Sequence, residues 1–429
     1  MDMVFGRDLV SETGAHADVA QNVRTSLKRI AETDTAVEAF EDEPDRESRL
    51  ARTSTESSGP LRGATLGVKD IFAVENLPTR GGSALDPGEF AGPEASAVTL
   101  LRRAGATVIG KTKTAEFACV HPPTTHNPHD LRHTPGGSSS GSAAAVATGA
   151  VALAVGTQTI GSVIRPASYC GVAGFKTTQG SVSLDGVIPC AQSYDSFGLF
   201  ATSVSGLVLG ASVFFEEEQS MGRKPVVAVP AREYLALATE TTNEVFGTAV
   251  RELAESGLDF VHTDLAADVA VLTRTQSVIF DCEFARAHED RFRRHAHVLG
   301  AGTVAAIQRG LAISERDYAA AVGQLAEQRA AFDTRMDQEG IDLVVAPAAT
   351  DVAPLGLSST GSPVMSLPWS HLGLPCVTFP LPRGAGELPL GLQLVGRRHA
   401  DLRLLGWAGE VAATIAELTD RQPGSSPRL

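Results

Sequence analysis

The chain has 429 residues, 43% of them hydrophobic and 20% charged, with a formal net charge of −14. This length can bury a large core, in one big α/β domain or in two domains, and the composition is that of an ordinary globular protein. No block of Lys or Arg stands out, which argues against a nucleic-acid partner, and the longest apolar stretch, Ser142 to Gly156, is too short and Ala/Gly-rich to span a bilayer.

In chain order, Val19, Val23, Leu27 and Ile30 sit at helical spacing and predict an amphipathic helix near the start. The beginning, "MDMVFGRDLV", lacks a basic region followed by an apolar run, so no signal peptide is expected. "EDEPDRESRLARTSTESSGP", Glu41 to Pro60, reads as surface loop with a helical turn. "ATLGVKDIF" reads as a short buried strand, and "ASAVTLLRRAGATVIGKT" as helix, glycine stop and strand. "SAAAVATG" predicts a helix of small residues ending at Gly149, and "AVALAVGTQ" a buried strand. "EEEQSMGRKP", Glu216 to Pro225, is the best internal boundary. From about 225 to 340 the pattern is mostly helical and charged. "IDLVVAPAA" and "LPLGLQLVG" then return to strand texture, and the tail from 419 to 429 reads as disordered. The expectation is α/β: a single large domain over 1–429, with a central mixed β-sheet covered by helices on both faces. The five cysteines are odd in number and unpaired in spacing, which fits a reducing cytoplasm.

"TPGGSSSGSAAAVATGAVALAVGTQTIGSVIRPASYCG", Thr134 to Gly171, concentrates the chemistry. A phosphate cradle would need G-x-x-x-x-G-K-[ST], and no Lys follows. Gly137 to Gly141 match G-x-S-x-G, but the "HNPHDLRHTP" before them cannot be the buried strand that a nucleophile elbow requires. The remaining reading takes the stretch as one unit, with a hydroxyl at each end of a helix–strand pair. The turn Thr159 to Ser162 offers consecutive backbone N–H groups for a developing oxyanion. A serine needs a base, and no His lies in this stretch. Lys69, at the end of an apolar strand, would serve if burial kept it neutral. Taken alone, it reads as a snorkelling or Asp-paired lysine.

These residues together resemble the amidase signature family. The parts are "GVKD" (67–70), "GGSSSGSAAAVA" (136–147), "GTQTIGSVIRPA" (156–167), "CGVAGFK" (170–176), and the later "HLGLPCVTFP" and "LPLGLQLVGRRHADLRLL". The likeness covers roughly 60–215 and 340–410. It implies the amidase signature fold and a Ser-cis-Ser-Lys triad: Ser162 as nucleophile, Ser138 as bridging serine in a cis peptide, Lys69 as base. It further implies an oxyanion hole at Ile160, Gly161 and Thr159. Ser139, Ser140 and Ser142 are then left to satisfy backbone groups. Arg165, three residues after Ser162, looks like the malonamidase branch, where the arginine recognises a substrate carboxylate; guanidinium suits that task. An arginine salt-bridged to an acid that buttresses the turn is the alternative. Ile160 stands where the family usually has Gly or Ala and is expected to intrude on the pocket, and "FKTT" replaces "FKPT".

His126, His129 and His133 invite a metal, but Pro128 interrupts any helix that would align them, and no metal or cofactor is expected. Cys170 reads as a buried structural cysteine. The leading functional expectation is hydrolysis of a C–N amide bond in a small molecule, one bearing a carboxylate among the candidates, with release of ammonia or an amine. The alternatives are an amidotransferase A-type subunit that supplies ammonia to a partner enzyme, and a biuret- or carbamate-type hydrolase. The expected partner is a small-molecule amide, with a homodimer allowed and neither nucleic acid nor membrane involved.

Overall fold

A computed structural model describes every residue except 1–2, 5, 53–57, 120, 217–222, 266–267 and 422–429. The first half carries helices α1 (Leu9–Glu12), α2 (Val19–Val37), α3 (Arg46–Ala51), α4 (Ser96–Arg103), α5 (Ser140–Ala147), α6 (Ile164–Cys170) and α7 (Val204–Ala211). Among them lie strands β1 (Thr65–Lys69), β2 (Thr107–Thr112), β3 (Leu153–Gln158), β4 (Ala173–Lys176) and β5 (Ser196–Ala201). The second half has β6 (Val226–Val229), α8 (Arg232–Leu235), α9 (Glu240–Glu255), β7 (Asp259–His262), α10 (Val269–His295), α11 (Ala301–Leu311) and α12 (Glu315–Gln338). It ends with β8 (Leu343–Pro347), α13 (Leu367–His371), β9 (Cys376–Pro380), β10 (Gly391–Gly396) and α14 (Asp401–Arg421).

All ten strands form one mixed sheet, in the order β2-β1-β3-β5-β4-β9-β10-β8-β6-β7. The pairs β1/β2, β1/β3, β6/β8 and β6/β7 are parallel, and the five central pairs are antiparallel. Because side chains alternate along a strand, each strand feeds two cores. Leu66, Leu153, Val155, Val345 and Leu394 face a core shared with α4, α7, α9 and α14. Ala154 faces a second core with α5 and α6, while Val344 and Val395 face a third with α13. The sheet is therefore covered on both faces, as expected.

The helix of small residues allows a close approach: a Cβ on Gly141 would lie 2.1 Å from the Ala39 carbonyl oxygen. That closeness seats the start of α5 against the Ala39–Lys113 backbone, while its alanines pack with Ala154 of β3. Gly149, at φ +67°, then stops the helix where the pattern predicted.

The mostly helical section also contributes two strands, β6 and β7, which extend the sheet at one edge by parallel pairing. β7 is only partly buried, so its alternation is weak and its four residues are hidden among long amphipathic helices. The tail is helical to Arg421, because α14 buries Leu404, Leu405, Ala408, Val411 and Ile415 and propagates past the expected boundary at 419. Residues 422–429, and most of the boundary segment 216–225, lie outside the described residues.

Candidate active site

The C-terminal ends of the parallel strands β1 and β3 carry the site, the usual location in α/β sheets. Lys69 is the last residue of β1 and has no exposed surface. Its Nζ lies 2.8 Å from Ser138 Oγ, 2.9 Å from Thr157 Oγ1 and 3.4 Å from the Thr157 carbonyl oxygen. Burial pulls its pKa down from 10.5 to about 7; Cys190 and Asp195 oppose this. Ser138 follows a cis peptide bond from Gly137, and its carbonyl accepts from Ala115 N at 3.1 Å.

The other serines of the loop hold backbone. Ser139 Oγ donates to Thr157 O, Ser140 Oγ to Gly136 O and Ser142 Oγ to Val155 O.

The turn Thr159–Ser162 runs from the end of β3 to α6. Gln158 fixes its geometry: Oε1 accepts from Val163 N at 2.8 Å and Ile164 N at 3.0 Å, and Nε2 donates to Ser370 Oγ at 3.0 Å. Ser370 Oγ in turn donates to the Ile160 carbonyl at 2.6 Å. Thr159 Oγ1 donates to Asp195 Oδ1 at 2.6 Å, and Asp195 Oδ2 accepts from Cys190 N and Ala191 N. Burial raises the Asp195 carboxyl to about 6. Among the described residues, the backbone N–H groups of Thr159, Ile160 and Gly161 donate to no protein acceptor. They lie beside a cavity of about 230 Å³ that Ser162 also lines. No hydrogen bond joins Ser162 to Ser138 among the described residues; Ser162 is brought to the cavity and Ser138 to Lys69. Ile160 lines the cavity, and its side chain is packed against the core cluster that contains Ile164, Met365 and Trp369.

Arg165 is 4% exposed and lines the same cavity. Its Nη2 donates to Gly137 O at 2.6 Å and to Thr360 Oγ1 at 3.0 Å. Its Nε and Nη1 are buried without a hydrogen-bond partner. Among the described residues no carboxylate pairs with it, so the reading of Arg165 as half of a buttressing salt bridge is corrected. Desolvation lowers its pKa to about 10. Each unpaired buried N–H costs about 1–3 kcal/mol.

Sequence reasoning missed Thr157, Gln158, Asp195, Thr360 and Ser370. Gln158, a polar residue ending an apolar strand, carried a usable signal; the others are brought in by tertiary structure. The three histidines hold backbone carbonyls: His126 that of Leu131, His129 that of Cys170 at the end of α6 and His133 that of Ala353. Among the described residues no group of three His, Cys, Asp or Glu is placed to hold a metal ion, and no helix is long and apolar enough to cross a membrane. Cys170 is buried, and burial pushes its thiol pKa well up. Thr177, the departure in "FKTT", donates its N–H to Phe197 O at 3.0 Å, a bond that proline would forfeit.

The chain is similar to known proteins along most of its length. The sequence profile of the Amidase family matches residues 21–405. The glutamyl-tRNA(Gln) amidotransferase A subunit of Aromatoleum aromaticum is 31% identical, over 89% of this chain and 91% of its own. The protein of the same name from Methanospirillum hungatei is 29% identical, over 82% and 93%. Among solved structures, a crystal structure of an amidase superposes with a TM-score of 0.85 at 28% identity, covering 95% of this chain and 100% of that one. The peptide amidase from Stenotrophomonas maltophilia gives 0.77 at 25% identity, over 93% and 94%.

Proposed function

Because the chain belongs to the amidase family, we propose that it cleaves the C–N bond of a small amide through an acyl-enzyme, with Ser162 as nucleophile, Ser138 as bridge and Lys69 as base. One observation carries this reading: a fully buried lysine, with its pKa drawn down to about 7, lies 2.8 Å from a serine hydroxyl. A neutral amine has two N–H groups and one lone pair. Thr157 O and Oγ1 accept the two N–H groups, and the lone pair is left for the Ser138 O–H. The Ser162 proton passes through Ser138 to Lys69 as Ser162 Oγ bonds to the substrate carbonyl carbon. The N–H groups of Thr159, Ile160 and Gly161 hold the oxyanion, each worth about 3 kcal/mol. The relay returns the proton to nitrogen as the C–N bond breaks, and water then hydrolyses the ester. The contact between Ser162 and Ser138 forms when substrate is bound, since catalytic hydrogen bonds tighten in the complex.

The substrate carries a carboxylate in this reading. Arg165 lines the cavity without a counter-ion and has two nitrogens with N–H groups to spare. This is the one feature that supports a malonamidase-like specificity. The same feature suits an amidotransferase A-type subunit, which would release ammonia from a small amide for a partner enzyme. The full-length similarity to two amidotransferase subunits favours that second reading over a free-standing hydrolase. A biuret- or carbamate-type hydrolase has no specific observation behind it.

Ammonia release is the test, with Ser162→Ala as the blank. Turnover of free carboxylated amides by the isolated chain supports a stand-alone enzyme. Turnover that appears only with a co-purifying partner supports the amidotransferase reading. Arg165→Ala is expected to cost acidic amides about 10²-fold more in kcat/KM than neutral ones; equal loss on both overturns the carboxylate assignment.

A further inference from the structure

A planar guanidinium grips a carboxylate along one of two edges, Nε with Nη2 or Nη1 with Nη2. Both edges need a hydrogen on Nη2. In Arg165 those two hydrogens are taken, one by Gly137 O at 2.6 Å and one by Thr360 Oγ1 at 3.0 Å. Neither edge is free for a two-point grip, although Nε and Nη1 themselves have no partner.

The two occupants of Nη2 are not equally fixed. Gly137 lies in the buried serine loop, between Gly136, whose carbonyl accepts from Ser140 Oγ, and Ser138, whose carbonyl accepts from Ala115 N. Thr360 lies in a segment whose Ser358, Ser359 and Ser362 are at least partly exposed. That segment is pinned on one side, where Thr134 N donates to Pro354 O and Gly356 N to Arg132 O. Among the described residues, the bond from Arg165 to Thr360 is the sole hydrogen bond from 357–362 to the protein outside 351–364. Ser358, Ser359 and Thr360 also line the cavity with Ser162.

We propose that Thr360 determines specificity by competing with the substrate's carboxylate for Arg165: its hydroxyl holds the shared Nη2 hydrogen and must give it up, with the 357–362 segment shifting, before an anion can be gripped at two points. The inference rests on the assignment of Arg165 as anion anchor. The hydroxyl then lowers the affinity for acids that bind with two oxygens and leaves neutral amides, which need no Nη2 hydrogen, unaffected.

The test measures binding of malonate, a short dicarboxylate, to the full chain by calorimetry, so it does not depend on turnover. Thr360→Val keeps the shape and removes the competing acceptor; it is expected to tighten malonate about tenfold, the effect of about one hydrogen bond. Thr360→Ser restores the hydroxyl and is expected to bind as the unaltered chain does. Arg165→Ala is expected to abolish binding in either background. Unchanged or weaker binding by Thr360→Val, with Arg165→Ala still abolishing it, overturns the proposal and leaves the anchor standing. Thr360→Ser tightening as much as Thr360→Val overturns it as well, since loop packing and not the hydroxyl would then be the cause. Full malonate affinity in Arg165→Ala, or none in any variant, overturns the anchor and the proposal together.

Discussion

Around Lys69, the buried polar atoms are matched one to one. Lys69 has three oxygens, the Gln158 amide has three partners, and the Asp195 carboxylate accepts from three donors. At Arg165 the opposite holds: two of the three guanidinium nitrogens are buried and unmatched. The two regions share the serine loop and both are buried, so their difference does not come from burial alone. In the proposed mechanism, groups that must keep one geometry through the reaction are saturated by the protein, and the group whose partner would arrive with the substrate is left short of one. An unmatched buried cation beside a saturated lysine is what the proposed anchor role of Arg165 calls for.

The first way to break this contrast is at the nucleophile. Ser162→Ala is expected to cut kcat by about 10⁴-fold or more while leaving the melting temperature nearly unchanged, because the Ser162 hydroxyl makes no hydrogen bond among the described residues. Ammonia release and thermal melts check the two halves. Residual activity within about tenfold of the unaltered chain would remove Ser162 from the chemistry.

The second acts on the saturated side through pH. Lys69 must be neutral to serve as base, and its pKa is about 7. Log kcat/KM is expected to rise with a slope near one below pH 7 and to level off above it. Stability follows the same group. The folded pKa lies below the unfolded 10.5, so the unfolded chain binds more protons between about pH 7 and 10.5, and stability from this residue rises with pH across that window. Its total is about 5 kcal/mol. Denaturant midpoints at pH 7 and pH 9 should show the slope, and Lys69→Met should flatten it; equal slopes in both chains would mean that Lys69 is not desolvated as described.

A third prediction removes one saturating group. Gln158→Ala leaves Val163 N and Ile164 N without their acceptor, so the oxyanion turn loosens. Activity is expected to fall about 10²-fold, in kcat more than in KM, with a stability loss of about 2–4 kcal/mol. A drop confined to KM would make Gln158 a substrate-binding group instead.

The two regions also differ in how legible they were. The ordered run from "GVKD" through "GGSSSGS" to "GTQTIGS" pointed to Lys69, Ser138 and Ser162 through its resemblance to the amidase signature family. The helix of small residues and the buried strands β1 to β3 follow from the same stretch. Arg165 was legible as a residue, but its lack of a counter-ion was not, since that depends on a segment 195 residues further along the chain that folds against it. Thr360 sits in "GLSSTGSP", a polar loop with no periodicity. Asp195, just before β5, and Ser370, in α13, reach the oxyanion turn from distant parts of the chain, and β7 was hidden by its partial exposure and short length. Local pattern reported the Lys69 side; the surroundings of Arg165 are assembled by long-range contacts, for which one sequence has no signal.

The smallest expected effect concerns Ile160, which lies on the border between the two regions. Its backbone belongs to the oxyanion turn, and its carbonyl is held by Ser370 at 2.6 Å. It lines the cavity, and its side chain is packed against the core cluster around Trp369. If the turn is set by Gln158 and Ser370, the branched side chain is not needed to shape it. Ile160→Ala is then expected to change kcat less than about threefold, since the N–H donors stay where these partners put them. The cost should appear in stability, about 1–3 kcal/mol for apolar surface lost from a partly buried site. KM for bulkier amides should fall as the cavity widens, and that is the sharper measurement. A loss in kcat comparable to that of Gln158→Ala would instead mean that the side chain restricts the turn, and the saturated region would then have to include a packing contact as well as its hydrogen bonds.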